Sequence, residues 1–341
     1  MTNVPLRYSS AMLRVGLNPY GLTVTLGLQG RRQVDGAVRA GGLDDFIRLA
    51  REHRMRAIEF DWRWLVGKSD AALGELAAAV AADEMAVIVS FWLSHTPGET
   101  LDEAWRVGQA MRASLVRLHL SPVLEGARAS HGHRWNEMAA HARRTLVRDA
   151  PAARDAGLRI GLENHQDFGS EELLELADAA GEHVGLVLDT GNPFAVGEDP
   201  VAFARRVAHR TWHLHLKDYR AQFTAEGYRL IRCALGDGAV PLAEIAAILG
   251  TGGREVTASI EPAGLASRHI RLFTRDWWQG YPPRGAAELG EAIGRLRRRC
   301  LADNEDGRTP WEREASDEDV EVYELNHLRQ SVAHVRTLGW L

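Results

Sequence analysis

Short apolar runs alternate along the chain with longer segments of helical composition. The runs predict strands at residues 13–18, 57–60, 86–91, 115–120, 159–163, 184–189, 211–216 and 256–261. Helices are predicted between them at 45–53, 70–83, 134–156, 171–181, 200–208 and 241–249, and a capping-box pattern at 100–103 opens one more. A strand and a helix that repeat eight times favour a closed barrel over an open sheet. The predicted fold is therefore α/β, a (β/α)8 TIM barrel over residues 1–274.

The regular pattern ends after residue 274. Residues 275–285 form an aromatic, proline-rich loop, and helices are predicted at 286–301 and 317–338. This C-terminal helical extension, residues 275–341, exceeds what a barrel requires, and we expect it to pack on the barrel. It would close one end of the barrel, cover a site or build a subunit interface, and the sequence leaves these three roles open. Residues 219–240 are predicted to form an extra loop before the last strand.

Four predicted strands end in residues that can bind a metal: Glu163, Asp189, His215 and Glu261. Successive side chains in a strand point to opposite faces, so each candidate lies opposite the large apolar side chains of its strand. The steps from 163 to 189 and from 189 to 215 are both 26 residues, about one strand and one crossover helix. In parallel neighbouring strands these side chains converge at the carboxyl ends, where barrels place their chemistry. The pattern predicts a metal site there.

Three carboxylates and one imidazole suit a hard or borderline divalent cation. We expect one such ion, with Mn²⁺ ahead of Mg²⁺ and Co²⁺, and with zinc less favoured. A cation of this kind acts as a Lewis acid on a hydroxyl–carbonyl pair of a sugar and acidifies the C–H next to the carbonyl. A neighbouring carboxylate can then remove that proton and leave an enediolate.

The motifs LENH at 162–165, LDTGN at 188–192, HLHLKD at 213–218 and SIEP at 259–262 occur in this order. Together they resemble the xylose-isomerase-like superfamily of sugar isomerases and epimerases, over residues 14–270. The resemblance implies an eight-stranded βα barrel with one divalent cation on Glu163, Asp189, His215 and Glu261. It also implies that Glu163 and Glu261 are acid–base catalysts as well as ligands. Several members have a histidine three residues after the aspartate, where this chain has Asn192, and this departure argues against a multi-metal site.

Other side chains are expected near the barrel mouth. Lys217 follows His215 by two residues, and it would either donate to a substrate oxygen or form a salt bridge. His119, at a strand end, is a candidate catalytic proton shuttle or a structural histidine, and His213 is expected to be a packed core histidine. Carboxylates suit sugar hydroxyls and indoles suit the apolar face of a sugar. The candidate substrate contacts are Glu59, Trp62, Trp92, His95, His165 and Asn192.

Several functions remain open. The leading hypothesis is metal-dependent isomerisation or epimerisation of a ketose or related sugar through an enediolate. The alternative is a dehydratase or lyase acting on an inosose, a dehydroshikimate-like acid or a 3-keto-glycoside, with His119 or His95 as an additional base. A phosphodiesterase on damaged DNA is disfavoured because that chemistry recruits a multi-metal, His-rich cluster and a basic groove. A non-catalytic binding role is the fourth hypothesis, and an intact ligand set argues against it.

Composition narrows these classes further. The 341 residues are 45% hydrophobic and 26% charged, with a net charge of −5, which gives no general attraction to nucleic acid or anionic membranes. Cys233 and Cys300 form no disulfide framework, and no apolar run approaches the length of a membrane span. We expect a cytoplasmic protein that acts on a small-molecule sugar, as a monomer, a homo-oligomer or with a partner subunit.

Overall fold

The computed structural model describes residues 13–30, 42–250, 255–262 and 264–341. Its centre is a closed barrel of eight strands, which confirms the predicted fold class. The barrel strands are β1 (Leu13–Leu17), β2 (Ala57–Asp61), β3 (Ala86–Trp92), β4 (Leu115–His119), β5 (Ile160–Glu163), β6 (Val184–Asp189), β7 (Thr211–Leu216) and β10 (Val256–Ile260). All neighbours pair in parallel, in the order β1-β10-β7-β6-β5-β4-β3-β2. The carboxyl ends of all eight strands therefore meet at one mouth.

Helices connect the barrel strands: α1 (Gly42–Glu52), α2 (Asp70–Ala81), α3 (Asp102–Ala110), α4 (His133–Asp155), α5 (Ser170–Ala180), α6 (Pro200–Val207) and α7 (Leu242–Gly250). One predicted cap was wrong. The capping box at 100–103 does not form, because Leu101 is the N-cap and its N–H donates to Asp149 Oδ2 at 2.9 Å. The N-cap of α5 is Gly169, and the hydroxyl of the following Ser170 accepts a hydrogen bond from Arg206 at 2.6 Å.

The inside of the barrel is layered. Ala57, Ile88, Leu115 and Val187 form a small buried apolar cluster, separate from the main core between strands and helices. Two residues further along these strands, on the same inward face, the side chains become polar, because strand alternation returns each inward position every second residue. The inner cluster thus forms an apolar floor, and the polar side chains stand between it and the mouth.

Residues 219–240 do not form the predicted loop. They contain the antiparallel pair β8 (Asp218–Phe223) and β9 (Tyr228–Cys233), and β11 (Arg268–Ile270) adds a third strand beside β9. In β8, Tyr219 and Ala221 lie on one face and are buried. The turn that follows is held by the buried Asp218 carboxylate, which accepts three backbone N–H donors at 3.0 Å.

The C-terminal part contains α8 (Ala286–Arg298) and α9 (Asp317–Thr337). Glu324 of α9 is buried and accepts hydrogen bonds from Val24 N at 3.1 Å and Thr25 N at 2.8 Å, so α9 holds the segment after β1. Helix α8 ends earlier than predicted, and Cys300 forms a β-bridge with Ala221. No helix within the described ranges is both long and apolar enough to cross a membrane.

Candidate metal centre

The four predicted ligands lie together at the barrel mouth. Glu163 ends β5, Asp189 ends β6, His215 lies in β7 and Glu261 follows β10. One ligand atom from each of the four lies within 4.8 Å of the others, and all four side chains are buried. The four residues meet, as predicted, because β5, β6, β7 and β10 are consecutive parallel neighbours in the barrel.

His215 has two differently engaged ring nitrogens. Its Nδ1 faces the cluster, 3.1 Å from Glu163 Oε1 and 3.4 Å from Glu261 Oε2. Its Nε2 donates to Glu59 Oε2 at 2.9 Å on the side of the barrel floor. Burial lowers the pKa of His215, but the Glu59 and Glu163 carboxylates outweigh it and raise the pKa to about 10. Nδ1 is therefore the atom directed at a cation, and Glu59 fixes the ring from behind.

Each carboxylate of the cluster has a buried cationic partner. Arg117 forms an ion pair with Glu163, and Lys217 Nζ lies 2.5 Å from Asp189 Oδ2 and 2.8 Å from Glu261 Oε1. Burial alone would raise the pKa of Glu163, but Arg117 and His215 hold it well below its usual range. Burial raises the pKa of Asp189 even beside Lys217. These cations offset the free-energy cost of burying several carboxylates close together.

Asparagine side chains order the Asp189 strand end. Asn164 donates to the backbone oxygen of Asp189 at 3.0 Å and accepts from its N–H at 2.6 Å. Asn192 donates to the Asn164 backbone oxygen at 3.1 Å, and the Tyr219 hydroxyl donates to the Asn192 side-chain oxygen at 3.3 Å. Asn192, a predicted substrate contact, is thus buried in a hydrogen-bond network beside the cluster.

The donor set fits one small divalent cation. Asp189 Oδ2 is buried and accepts no hydrogen bond within the described part of the chain, although Lys217 lies near it. Glu59, His213 and His215 form a second candidate cluster, but both ring nitrogens of His213 are engaged, with Thr257 Oγ1 at 2.7 Å and Ser259 Oγ at 3.0 Å. Three carboxylate oxygens and one imidazole nitrogen suit Mg²⁺ or a first-row divalent ion. The first cluster is therefore the better cation site.

A row of rings forms one wall of the mouth. The rings of Trp92 and His119 are 4.8 Å apart, and those of His119 and His165 are 4.2 Å apart. Trp92 is 50% exposed and its Nε1 donates to the Tyr20 hydroxyl at 3.1 Å. His119 Nε2 and His165 Nδ1 are buried without a hydrogen-bond partner among the described residues. Burial, reinforced by Arg117, lowers the pKa of His119 to about 3, so the ring is neutral at pH 7.

Three predicted substrate contacts lie away from this wall or beneath it. Glu59 is 0% exposed on the floor side of His215, where Ser90 also donates to it. His95 packs against His141 at 5.1 Å, and its Nε2 donates to the Leu120 backbone oxygen at 2.8 Å. Trp62 lies in the turn after β2, partly buried against the main core.

Two residues that contact the cluster, and a third beside them, were not predicted from the sequence. Arg117 precedes His119 by two positions and so shares its inward face, a signal that strand alternation contained. Arg232 of β9 lies 2.8 Å from Glu261 Oε1, but its strand was predicted as a loop. Tyr20 follows β1 in a short turn, and the Arg117 guanidinium lies 5.4 Å from its ring centre. We find no sequence signal that would have identified Tyr20.

The barrel and its carboxylate–imidazole cluster define a class of protein. A family model described as "Xylose isomerase-like TIM barrel" matches residues 47–277. That match covers more than half of the chain, and the chain therefore belongs to this family.

Individual relatives are more distant. An inosose dehydratase of Clostridium botulinum is 30% identical over 110 residues, covering 31% of this chain and 36% of that protein, so the chain matches only about a third of its length. A xylose isomerase-like TIM barrel protein from Mycobacterium smegmatis in complex with magnesium is 16% identical, covers 85% of this chain and 97% of that one, and has a TM-score of 0.54. An L-ribulose 3-epimerase structure is also 16% identical, covers 84% and 96%, and has a TM-score of 0.51. The two structures establish the likeness of fold.

Proposed function

We propose that this protein is a divalent-metal-dependent isomerase or epimerase of a ketose or related sugar. The observation that carries the proposal is the buried cluster of Glu163, Asp189, His215 and Glu261 at the carboxyl end of the barrel. Two of its carboxylates come from opposite ends of the cluster, Glu163 on the Arg117 side and Glu261 on the Lys217 and Arg232 side. Two separated carboxylates suit a reaction that removes a proton and returns it.

The cation would be held by Glu163, Asp189, His215 through Nδ1, and Glu261. Mn²⁺ is the ion we favour, with Mg²⁺ and Co²⁺ as alternatives, because oxygen ligands predominate. When bound, the cation supplies Lewis-acid polarisation of the substrate carbonyl. Glu59 orients the His215 ring through Nε2, so we assign Glu59 to positioning rather than to substrate contact.

The acid–base steps belong to the chain's own side chains. One of Glu163 and Glu261 takes the proton from the carbon next to the carbonyl, and the other returns a proton to the enediolate. Arg117 keeps Glu163 ionised and thus able to accept a proton. Lys217, 2.8 Å from Glu261 Oε1, is placed to donate to the substrate oxygen on which negative charge develops.

The ring wall supplies the substrate contacts. Trp92 offers a half-exposed indole to the apolar face of a sugar. The unpartnered nitrogens of His119 and His165 are suited to sugar hydroxyls, since a buried polar atom without a partner is costly until a ligand satisfies it. The proposed substrate is a small molecule in the cytoplasm, and neither nucleic acid nor a membrane takes part.

A second candidate is a dehydratase acting on a cyclic or acidic polyol ketone. Two observations favour it: the inosose dehydratase relative and the neutral His119 beside the cluster. In this reaction the same proton is removed, and the enolate then expels a β-hydroxyl group that a neighbouring acid protonates. Asn192, where several family members have histidine, lies beside the Asp189 end of the cluster. It would affect whether the enolate is reprotonated or loses the β-hydroxyl group.

Proton exchange in D₂O tests both candidates. The protein, reloaded with Mn²⁺ or Mg²⁺ after chelation, is offered ketoses, inososes and 3-keto-glycosides, and each C–H is followed by NMR and mass spectrometry. Metal-dependent deuterium uptake with a new stereoisomer supports the isomerase or epimerase, and Glu163→Gln and Glu261→Gln should abolish it. Loss of water or of an aglycone moves the assignment to a lyase. Absence of exchange on every substrate with bound metal would contradict the proposal.

A further inference from the structure

A cavity of about 480 Å³ opens beside the metal centre. Its wall includes Tyr20 from the barrel mouth, Tyr219, Arg232 and Arg268 from the three-stranded sheet, and Trp311 from the C-terminal extension. Arg232 connects the cavity to the cluster, because its guanidinium lies 2.8 Å from Glu261 Oε1. The size falls within the range of small-molecule sites. Arg232 therefore belongs both to the cavity wall and to the surroundings of the metal centre.

Strand register places both arginines on one face of the small sheet. Arg232 pairs with Tyr219 of β8, and Arg268 of β11 pairs with Leu230 of β9. Directly paired residues share a face, as do residues two apart in one strand. Arg232 and Arg268 are therefore diagonal neighbours, and the buried Tyr219 and Leu230 on the same face show that this face is turned toward the protein.

The charge of the cavity wall is unbalanced. Among the lining residues that the structure describes, two are arginines and none is acidic, although the whole chain carries a net charge of −5. The half-buried Arg268 side chain makes no hydrogen bond or ion pair with any residue in the described ranges. The nearby carboxylates have other partners: Glu312 Oε1 accepts from Arg229, and Glu125 Oε1 accepts from the His269 N–H. A guanidinium whose N–H donors make no hydrogen bond is suited to bind an anion.

We propose that the substrate carries an anionic group, a carboxylate or a phosphate ester, that binds Arg268 and Arg232 while its carbonyl end lies at the metal centre. This inference rests on the proposed function, because it assigns a substrate class to the same site. A guanidinium presents paired N–H donors that match the oxygens of carboxylates and phosphates. The anion would also share Arg232 with Glu261, which couples the distal group to an acid–base residue.

Three ligands with one ketose head test the proposal: D-fructose, D-fructuronate and D-fructose 6-phosphate, which differ only at C6. Binding to the Mn²⁺-loaded full chain is measured by calorimetry. At least one anionic ligand should bind about 10- to 100-fold more tightly than D-fructose, the range expected for a charge-assisted hydrogen bond. The comparison of D-fructuronate with D-fructose 6-phosphate shows whether the site prefers a carboxylate or a phosphate ester. Equal binding of neutral and anionic ligands, or no binding of either anion, overturns the proposal.

Variants separate a binding role from a structural one. Arg268→Gln should reduce the anionic preference to within about threefold of D-fructose while the affinity for D-fructose stays the same, and Arg268→Lys should restore part of it. The matched control is Arg271→Gln, in the same segment but 62% exposed and paired with Glu226. An equal loss for all three ligands in Arg268→Gln would indicate a structural role and contradict the inference.

The outcome also separates this inference from the proposed function. If the neutral ketose exchanges deuterium but anionic ligands bind no more tightly than D-fructose, the isomerase proposal stands and the proposed anion site is wrong. If anionic ligands bind more tightly through Arg268 but no ligand exchanges deuterium, the anion site stands and the isomerase proposal is wrong.

Discussion

The charge of His215 gives the sharpest prediction about metal binding. Its pKa in the metal-free protein is about 10, so at pH 7 the ring is protonated, whereas a metal ligand must be neutral. Metal binding at pH 7 should therefore release about one proton. A difference of roughly three pKa units corresponds to about 4 kcal/mol of opposition to binding at pH 7. Affinity should rise about tenfold per pH unit, until the pH approaches that pKa.

Glu59→Gln is the perturbation that isolates this effect. Glu59 Oε2 lies 2.9 Å from His215 Nε2 and is the foremost carboxylate that raises the pKa of that ring. The amide keeps the shape but removes the charge, so the pKa of His215 should fall toward its usual value. Proton release at pH 7 should then drop well below one, and the pH dependence of affinity above pH 7 should weaken. The intrinsic metal affinity should also fall about 10- to 100-fold, because an outer-sphere carboxylate that orients the ligand is lost.

Calorimetry of Mn²⁺ binding in buffers of different ionisation enthalpy measures both quantities. Glu99→Gln is the matched control, since Glu99 forms a similar carboxylate–imidazole contact with His141 at 3.0 Å. That variant should release the same number of protons as the wild type. If the wild type releases no proton at pH 7, His215 is not protonated before the metal binds. If Glu59→Gln releases as many protons as the wild type, Glu59 does not raise the pKa of His215. Either result would contradict the prediction.

Three further predictions concern catalysis and stability. Lys217→Met should lower metal-dependent deuterium exchange at least 100-fold while calorimetry shows that metal still binds, because a proposed oxyanion donor is removed. Burial raises the pKa of Glu324 from 4.5 to about 7. The contribution of the protonated carboxyl to stability is therefore full below pH 4.5 and is lost as the pH rises through 7. Relative to wild type, Glu324→Gln should gain up to about 3 kcal/mol in free energy of unfolding between pH 4.5 and 8, measured by urea denaturation. Arg128→Met should destabilise the protein by about 1–3 kcal/mol in the same assay, since it leaves the Asp167 backbone oxygen and the partly exposed Glu172 carboxylate without their Arg128 donors.

Controls for these variants come from the same chain. Lys68→Met replaces an exposed lysine and should leave exchange unchanged. Glu291→Gln, at an exposed position of α8, should keep the wild-type dependence of stability on pH. Arg134→Met, on the exposed face of α4, should change the free energy of unfolding by no more than about 0.5 kcal/mol. A change in a control as large as in its test variant would contradict the corresponding assignment.

The sequence was sufficient for the barrel and for the meeting of the four ligands. Parallel strands repeat at regular spacing, and alternation fixes which residue of each strand end points inward, so local rules carry over to the whole barrel. Glu163, Asp189, His215 and Glu261 each obey these rules. The same rules predicted the barrel itself, which needs only the order of strands and helices.

The partners of those ligands depend on register, which one sequence does not reveal. Arg117 pairs with Gly161 on the neighbouring strand, two residues before Glu163, and its guanidinium forms an ion pair with Glu163. Glu59 was expected near the barrel mouth, but β2 continues two residues past it to Asp61, and Glu59 lies beneath the site. Contacts between separate strands were therefore the part that local reasoning left undetermined.

The hairpin was missed because its alternation is weak. In β9 the inward Leu230 and Arg232 differ in polarity, and the outward Arg229 and Ile231 do so too, so neither face of the strand is uniformly apolar. The inward arginine is tolerated because it meets Glu261 and the cavity rather than the apolar core. Arg232 breaks the alternation of β9, and it does so where the strand borders the metal centre.

The central claim is that Glu163, Asp189, His215 and Glu261 hold one divalent cation. Anomalous diffraction from crystals grown with Mn²⁺ tests it directly, because the signal locates the ion without reference to the protein. We expect a single strong peak about 2.0–2.3 Å from one oxygen of each carboxylate and from His215 Nδ1. A peak at Glu59 and His213, or no peak at the barrel mouth under saturating Mn²⁺, would contradict it.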